Sequence, residues 1–210
     1  MIKIIIADDH PIVREGLKRI IDECSDMECV GEAANSEDVI NRCREKKTDV
    51  LLLDISMPGA GFLDTLQRII TKYPTLRVLV LSIHPEEQYA IRAIRAGAAG
   101  YLTKNHTPEQ LAEAIRQVHA GHKYITPNVA QELINTLDTN QESELHKSLS
   151  NREYQILCML GGGKQLTEIA SLLSLSPKTV GTYRNRILDK LKLRTTGELI
   201  RYAVEHALKE

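Results

Sequence analysis

Tryptophan is absent from this 210-residue chain, and phenylalanine occurs once, as Phe62. Aliphatic side chains must therefore build the core. No apolar run approaches the ~20 residues that cross a bilayer, so a membrane partner is not expected. Met1-Ile2-Lys3 leads directly into a strand pattern rather than a charged-then-apolar leader, and the expected compartment is the cytoplasm. Cysteine is sparse: Cys24, Cys29, Cys43 and Cys158 form no C-x-x-C pair. Reduced thiols are expected, with a Cys24–Cys29 bridge the less favoured alternative. An excess of either charge is also missing, since the whole chain carries −1. That balance hides a split. Residues 148–210 carry +4, which leaves −5 for the remainder. A basic tail on an acidic body points to a polyanionic partner.

What is present is an alternation of strand and helix. Strand patterns cover 3–7, 28–33, 50–54, 77–82 and 100–103, with helical periodicity over about 11–23, 36–46, 63–73, 86–96 and 108–120. Pro11 and Pro108 suit first helical turns, Ser36 reads as an N-cap, and Gly97 and Gly121 read as helix stops. Strands three and four are continuously apolar, as in a parallel sheet buried on both faces. The expected fold is an α/β, flavodoxin-like (βα)5 domain with a five-stranded parallel sheet in the order 2-1-3-4-5. A short helix over about 127–136 and a polar stretch at 138–147 follow, and residues 123–147 are read as a linker. Residues 148–210 read as an all-α, four-helix domain. Ser150 and Glu153 form a capping box there, and Ser176-Pro177 starts a long helix after a turn. This is a helix-turn-helix pattern.

The chemistry concentrates at strand ends. Asp54 closes the run Val50-Leu51-Leu52-Leu53, and Asp8-Asp9 close the first strand. In the order 2-1-3-4-5 these two strands flank the switch point, where open α/β sheets bind ligands. Strand four ends in Ser82, and Lys104 follows strand five. Three acids at one edge repel one another and call for a cation, and such oxygen donors suit Mg²⁺. A carboxylate can act as a nucleophile toward phosphorus. Metal and Lys104 would neutralise the phosphoryl oxygens, with Ser82 donating to one of them. His10 and His84 are expected to be exposed loop side chains rather than ligands. An aspartyl-phosphate enzyme of the haloacid-dehalogenase type is the alternative. It requires a second acid two residues after the nucleophile, and Asp54-Ile55-Ser56 lacks one.

These residues, with Met57-Pro58-Gly59 and the segment Ala96-Gly97-Ala98-Ala99-Gly100-Tyr101-Leu102-Thr103-Lys104, resemble the response-regulator receiver domain over about residues 1–122. The resemblance implies phosphorylation of Asp54 by a sensor histidine kinase or phosphotransfer protein. It implies Mg²⁺ bound through Asp9, Asp54 and the Ser56 carbonyl, with Asp8 acting mostly through water. Ser82 and Tyr101 would form a switch pair, the ring rotating inward on phosphorylation. A phosphoacceptor with at most slow self-dephosphorylation is implied, not an enzyme. One position departs from the family pattern. Gly61-Phe62 stands where an Asp- or Asn-Gly pair is usual, so either the loop is rearranged or Gly61 takes over the turn. Phe62 is expected to expose its ring beside the site.

In the tail, Val180, Ile187, Leu188 and Leu191 mark the apolar stripe of the long helix, and Lys178, Thr182, Asn185 and Arg186 share the opposite face. Such a face suits a major groove, with Asn185 and Arg186 the candidates for base contact. Thr179, Tyr183, Lys190, Lys192 and Arg194 are placed for phosphates of double-stranded DNA. The motifs Leu149-Ser150-Asn151-Arg152-Glu153, Glu168-Ile169-Ala170, Leu175-Ser176, Thr179-Val180 and Lys190-Leu191 resemble the LuxR-type helix-turn-helix. Together the two halves are similar to the NarL/FixJ class of transcriptional regulators. That class implies a homodimer whose last helix pairs two copies. Gly181 and Tyr183 replace the Lys and His usual on this helix, so the operator cannot be borrowed from relatives.

Overall fold

The computed structural model describes residues 1–59, 61–83, 86–138, 145–173, 175–206 and 208, with the side chains of 86–88, 132, 135–138, 145, 147 and 151 left aside. Two compact units divide the chain, Met1–Leu137 and Asp138–Glu210.

In the first unit, β1 (Ile2–Ala7), β2 (Met27–Ala33), β3 (Val50–Asp54), β4 (Arg77–Ser82) and β5 (Gly100–Thr103) form one parallel sheet in the order 2-1-3-4-5. Helices α1 (Pro11–Asp22), α2 (Ser36–Glu45), α3 (Phe62–Lys72), α4 (Glu86–Arg95) and α5 (Pro108–His119) alternate with the strands, and α6 (Pro127–Asp138) follows. Every residue of β3 is buried, and β4 is buried from Val78 onward. That explains their unbroken apolar sequence: helices cover both faces of a parallel sheet. Ile4, Ile6, Leu52, Leu79, Leu111 and Ile115 meet in an aliphatic core beneath α1 and α5. At roughly 1.5–3 kcal/mol per buried aliphatic side chain, such a core needs no large aromatics.

Local chemistry sets the ends. Gly97 and Gly121 take φ of +106° and +92°, the left-handed conformation of a helix stop. Thr107 and Gln110 close a capping box at the start of α5. The cap of α2 is Asn35, not Ser36. Asn35 Oδ1 accepts the N–H groups of Glu37 and Asp38 at 3.0 and 2.9 Å. Ser36 is instead the first helical residue, and its N–H donates to the Pro58 carbonyl at 3.2 Å. Asn and Ser cap comparably well; the residue whose oxygen reaches the second and third helical N–H groups takes the role.

The second unit is helical. A 3₁₀ turn (Leu145–Ser148) precedes α7 (Asn151–Gly161), α8 (Leu166–Leu172), α9 (Pro177–Leu191) and α10 (Thr196–Glu205). Helix α10 packs on α7, and α9 packs on both α7 and α8. Gly161 lets α10 approach, since a Cβ at this position would lie 2.7 Å from the Ala203 Cβ.

Candidate functional site

The carboxyl edge of the sheet gathers the acids. Asp54 is the last residue of β3, and Asp8 follows β1 directly; they are 2 % and 1 % exposed. Lys104, just past β5, is anchored by its own N–H, which donates to the Ser82 carbonyl at 2.7 Å. Its ammonium lies 2.6 Å from Asp8 Oδ2 and 2.9 Å from Asp54 Oδ1. The three-acid edge therefore has a cation of its own, bridging two carboxylates. Burial pushes the Asp54 carboxyl above its ordinary range; Lys104 opposes that shift, and Asp8 adds to it. Burial also works against the Lys104 charge, but its bonds to Asp8 and Asp54 together hold its pKa above the usual lysine value. The Ser56 N–H donates to Asp54 Oδ2 at 3.3 Å. Arg14 of α1 donates to the Asp8 carbonyl at 2.7 Å, fixing the turn after β1.

Asp9 is different. Its Oδ1 is buried and, among the described residues, has no hydrogen-bond partner. His10 Nδ1 lies 2.8 Å from that oxygen and 3.4 Å from Asp8 Oδ1, at ion-pair distance from both. Asp9 clusters with Asp8, which shares Lys104 with Asp54; such a run of carboxylates is the donor set of a hard divalent cation, so Asp8, Asp9 and Asp54 fit Mg²⁺.

In the second unit, α9 presents Lys178, Thr182, Asn185 and Arg186 to solvent and buries Val180, Ile187 and Leu191. Its first turn is capped by Ser176, whose Oγ accepts the Thr179 N–H at 3.1 Å. The Thr179 hydroxyl is 2.8 Å from the same Oγ, so it belongs to the cap. Arg184 donates twice to Asn185 Oδ1, at 3.2 and 2.8 Å, and the Arg186 guanidinium lies 5.7 Å from the Tyr183 ring centre. Lys192 and Arg194 are exposed beyond the helix end. Lys190 is exposed and ion-paired. Its Nζ is 2.7 Å from Glu153 Oε2, and Glu153 is buried in the capping box of α7.

Comparison with known proteins gives these geometries a family. Residues 4–116 match the response regulator receiver domain, and residues 147–203 match the bacterial regulatory proteins of the luxR family. The chain is 40 % identical over 209 residues to the response regulator GacA of Pseudomonas aeruginosa, covering 99 % of this chain and 98 % of that one. It is 37 % identical to the response regulator UvrY of Escherichia coli, covering 99 % and 96 %. The chain belongs to the NarL/FixJ family of two-component response regulators. Among solved structures, the RcsB response regulator of Salmonella typhimurium superposes with a TM-score of 0.73 at 26 % identity, covering 97 % of each chain. RcsB bound to promoter rprA in the presence of phosphomimetic BeF₃⁻ gives 0.68 at 26 % identity, covering 96 % and 97 %.

Within the response-regulator frame, two expectations about the loop after β3 change. Phe62 does not expose its ring. It is 5 % exposed and meets Tyr89 of α4 edge-on, with ring centres 5.8 Å apart. As the first residue of α3 it points inward, where burying an aromatic ring outweighs its cost as a turn residue. Gly61 does not take over the turn either. It caps α3 at φ −53°, while Gly59 carries the left-handed conformation at +108°. Tyr101, on β5, is 2 % exposed, so its ring lies inside in this structure, and Ser82 is fully buried at the end of β4. His84 lies outside the described residues. His10 is exposed, as expected. The sequence reading passed over one participant. Glu153 was recognised as a cap but not as the partner of Lys190, because no local spacing links residues 37 apart.

Proposed function

We propose that this response regulator accepts a phosphoryl group on Asp54 from a sensor histidine kinase or a phosphotransfer protein, and thereby controls sequence-specific binding of double-stranded DNA. The observation that carries the reading is the Asp54 carboxylate, buried at the end of β3 and ion-paired with Lys104 beside Asp8. An Asp54 oxygen attacks phosphorus as the phosphorus–nitrogen bond of a phosphohistidine breaks. The electron pair leaves with the imidazole, which takes up a proton. Lys104 moves its charge onto a phosphoryl oxygen, and Ser82 donates a hydrogen bond to another. Mg²⁺, held by Asp8, Asp9, Asp54 and the Ser56 carbonyl, supplies further neutralisation of the phosphoryl charge when bound. Burial keeps water from the acyl phosphate, so self-dephosphorylation is slow and the protein is a phosphoacceptor rather than a turnover enzyme.

Ser82 and Tyr101 then report the state of Asp54. Residues 1–122 act as receiver, 123–147 as linker, and 148–210 as DNA-binding domain. The protein works in the cytoplasm as a homodimer. Lys178, Thr182, Asn185 and Arg186 face the major groove; Thr179, Tyr183, Lys192 and Arg194 serve the phosphates. Lys190, which is exposed, joins the phosphate set while its ammonium also holds Glu153. RcsB, a structural neighbour, is described bound to promoter DNA with a phosphomimetic and as two dimers on two DNAs.

The test is operator binding with and without acetyl phosphate and Mg²⁺. Affinity is expected to change in the wild type and not in Asp54→Asn, which also loses the phosphoprotein band shift. Equal affinity in all conditions would sink the switch.

A further inference from the structure

We infer that His10 supplies a nitrogen ligand to the divalent cation of the Asp8–Asp9 site, tilting this receiver toward transition ions over Mg²⁺. The inference rests on the response-regulator reading of that site. It starts from geometry. The ligand atoms of Asp8, Asp9 and His10 all lie within 4.8 Å of one another. Neighbouring ligands of a six-coordinate ion with bonds near 2.0–2.1 Å are about 3 Å apart. His10 Nδ1 stands 2.8 Å from Asp9 Oδ1 and 3.4 Å from Asp8 Oδ1, which brackets that edge.

The Asp9 Oδ1 atom is buried, and the imidazole nitrogen stands against it at 2.8 Å. The two oxygens of Asp8 are divided accordingly. Oδ2 is taken by Lys104 at 2.6 Å, while Oδ1 faces His10. The backbone prepares the residue. The His10 N–H donates to Asp8 Oδ1 at 2.9 Å, and its carbonyl accepts the Val13 and Arg14 N–H groups. His10 is the N-cap residue of α1, yet its side chain makes no cap bond, which leaves the ring available.

Chemistry sets the consequence. Carboxylate and carbonyl donors suit Mg²⁺, whereas imidazole suits ions such as Ni²⁺ and Zn²⁺. An all-oxygen site and an oxygen-plus-imidazole site therefore rank the same ions differently.

The experiment is calorimetric titration of the untagged full chain with Mg²⁺ and with Ni²⁺, for wild type, His10→Gln and Asp9→Asn. It is joined to NMR of the histidine ring protons during the Ni²⁺ titration. In the wild type, Ni²⁺ is expected to bind more tightly than Mg²⁺ and to compete with it. The His10 signal should broaden before those of the other six of the seven histidines. His10→Gln should lower the ratio of Ni²⁺ to Mg²⁺ affinity by roughly tenfold, and Asp9→Asn should weaken both ions. An unchanged ratio in His10→Gln, or a His10 signal indifferent to Ni²⁺, overturns the inference while leaving the Mg²⁺ site standing. Wild type that binds neither ion overturns the metal site itself.

Discussion

At the residue scale, Asp54 and Lys104 are a pair held against the cost of burial. Asp54 has its folded pKa raised above the ordinary carboxylate value, so its ionised form costs stability at pH above that folded value. The cost vanishes below the unfolded value. Asp54→Asn is therefore expected to raise the melting temperature at pH 7 in chelating buffer, and to lose that advantage as pH falls below about 4; calorimetry across pH checks the sign. Removing the cation acts in the opposite direction. Lys104→Met strands two buried carboxylates and should cost a few kcal/mol, toward the roughly 3–5 typical of a broken buried pair. That loss should be smaller in the Asp54→Asn background, because the two residues share one interaction. Just beyond α9, Lys192→Ala and Arg194→Ala should weaken DNA binding at unchanged stability, each lowering the slope of log affinity against log salt by about one. Lys190→Ala should first destabilise the second unit, because it unpairs Glu153.

At the element scale, the ends of helices carry the long-range information. Glu153 accepts the Ser150 N–H at 2.7 Å and the Lys190 ammonium at 2.7 Å. Burial works against its charge, but Lys190 and Ser150 outweigh burial, and its pKa lies below the ordinary 4.5. The contribution is therefore complete above the unfolded value and lost as pH falls through the lowered folded value. Glu153→Gln should flatten the acid limb of the stability curve of the second unit, while Glu153→Ala costs about 1–3 kcal/mol. Two glycines separate packing from propensity. Nothing lies within 4 Å of a Cβ built on Gly181, in the middle of α9. Gly181→Ala should stabilise the free protein by about 0.5–1 kcal/mol, so any accompanying loss of DNA affinity would come from the DNA side. Gly161→Ala should destabilise, because α10 already occupies the space. The strands were legible to within a residue, since β3 and β4 are buried on both faces and their sequence has no other use. The cap of α2 was not, because Asn35 and Ser36 are chemically equivalent candidates until the residue at which the backbone turns helical is known.

At the scale of the whole molecule, a compact acidic unit and a compact helical unit are joined through one chain, and no described helix is long and apolar enough to cross a membrane. Under the proposed function, phosphorylation replaces the Asp54 carboxylate by an acyl phosphate that carries about −1.5 to −2 charges, so the wild-type response to acetyl phosphate should appear as a change in oligomeric state by light scattering as well as in operator affinity. The amino-acid sequence by itself determined the alternation of strands and helices, the order 2-1-3-4-5, the capping box of α7 and the placement of Asp8, Asp9, Asp54, Ser82 and Lys104 at one sheet edge. The elements and the cap follow from periodicity and from neighbours along the chain; the order and the shared edge follow from the rule that doubly wound α/β sheets obey. Tertiary structure alone decided that Phe62 turns inward onto Tyr89, that Lys190 neutralises Glu153 and that a buried oxygen of Asp9 meets His10. These outcomes depend on which atoms meet across the fold and on what burial costs a ring or a charge, and no spacing along the chain carries that information.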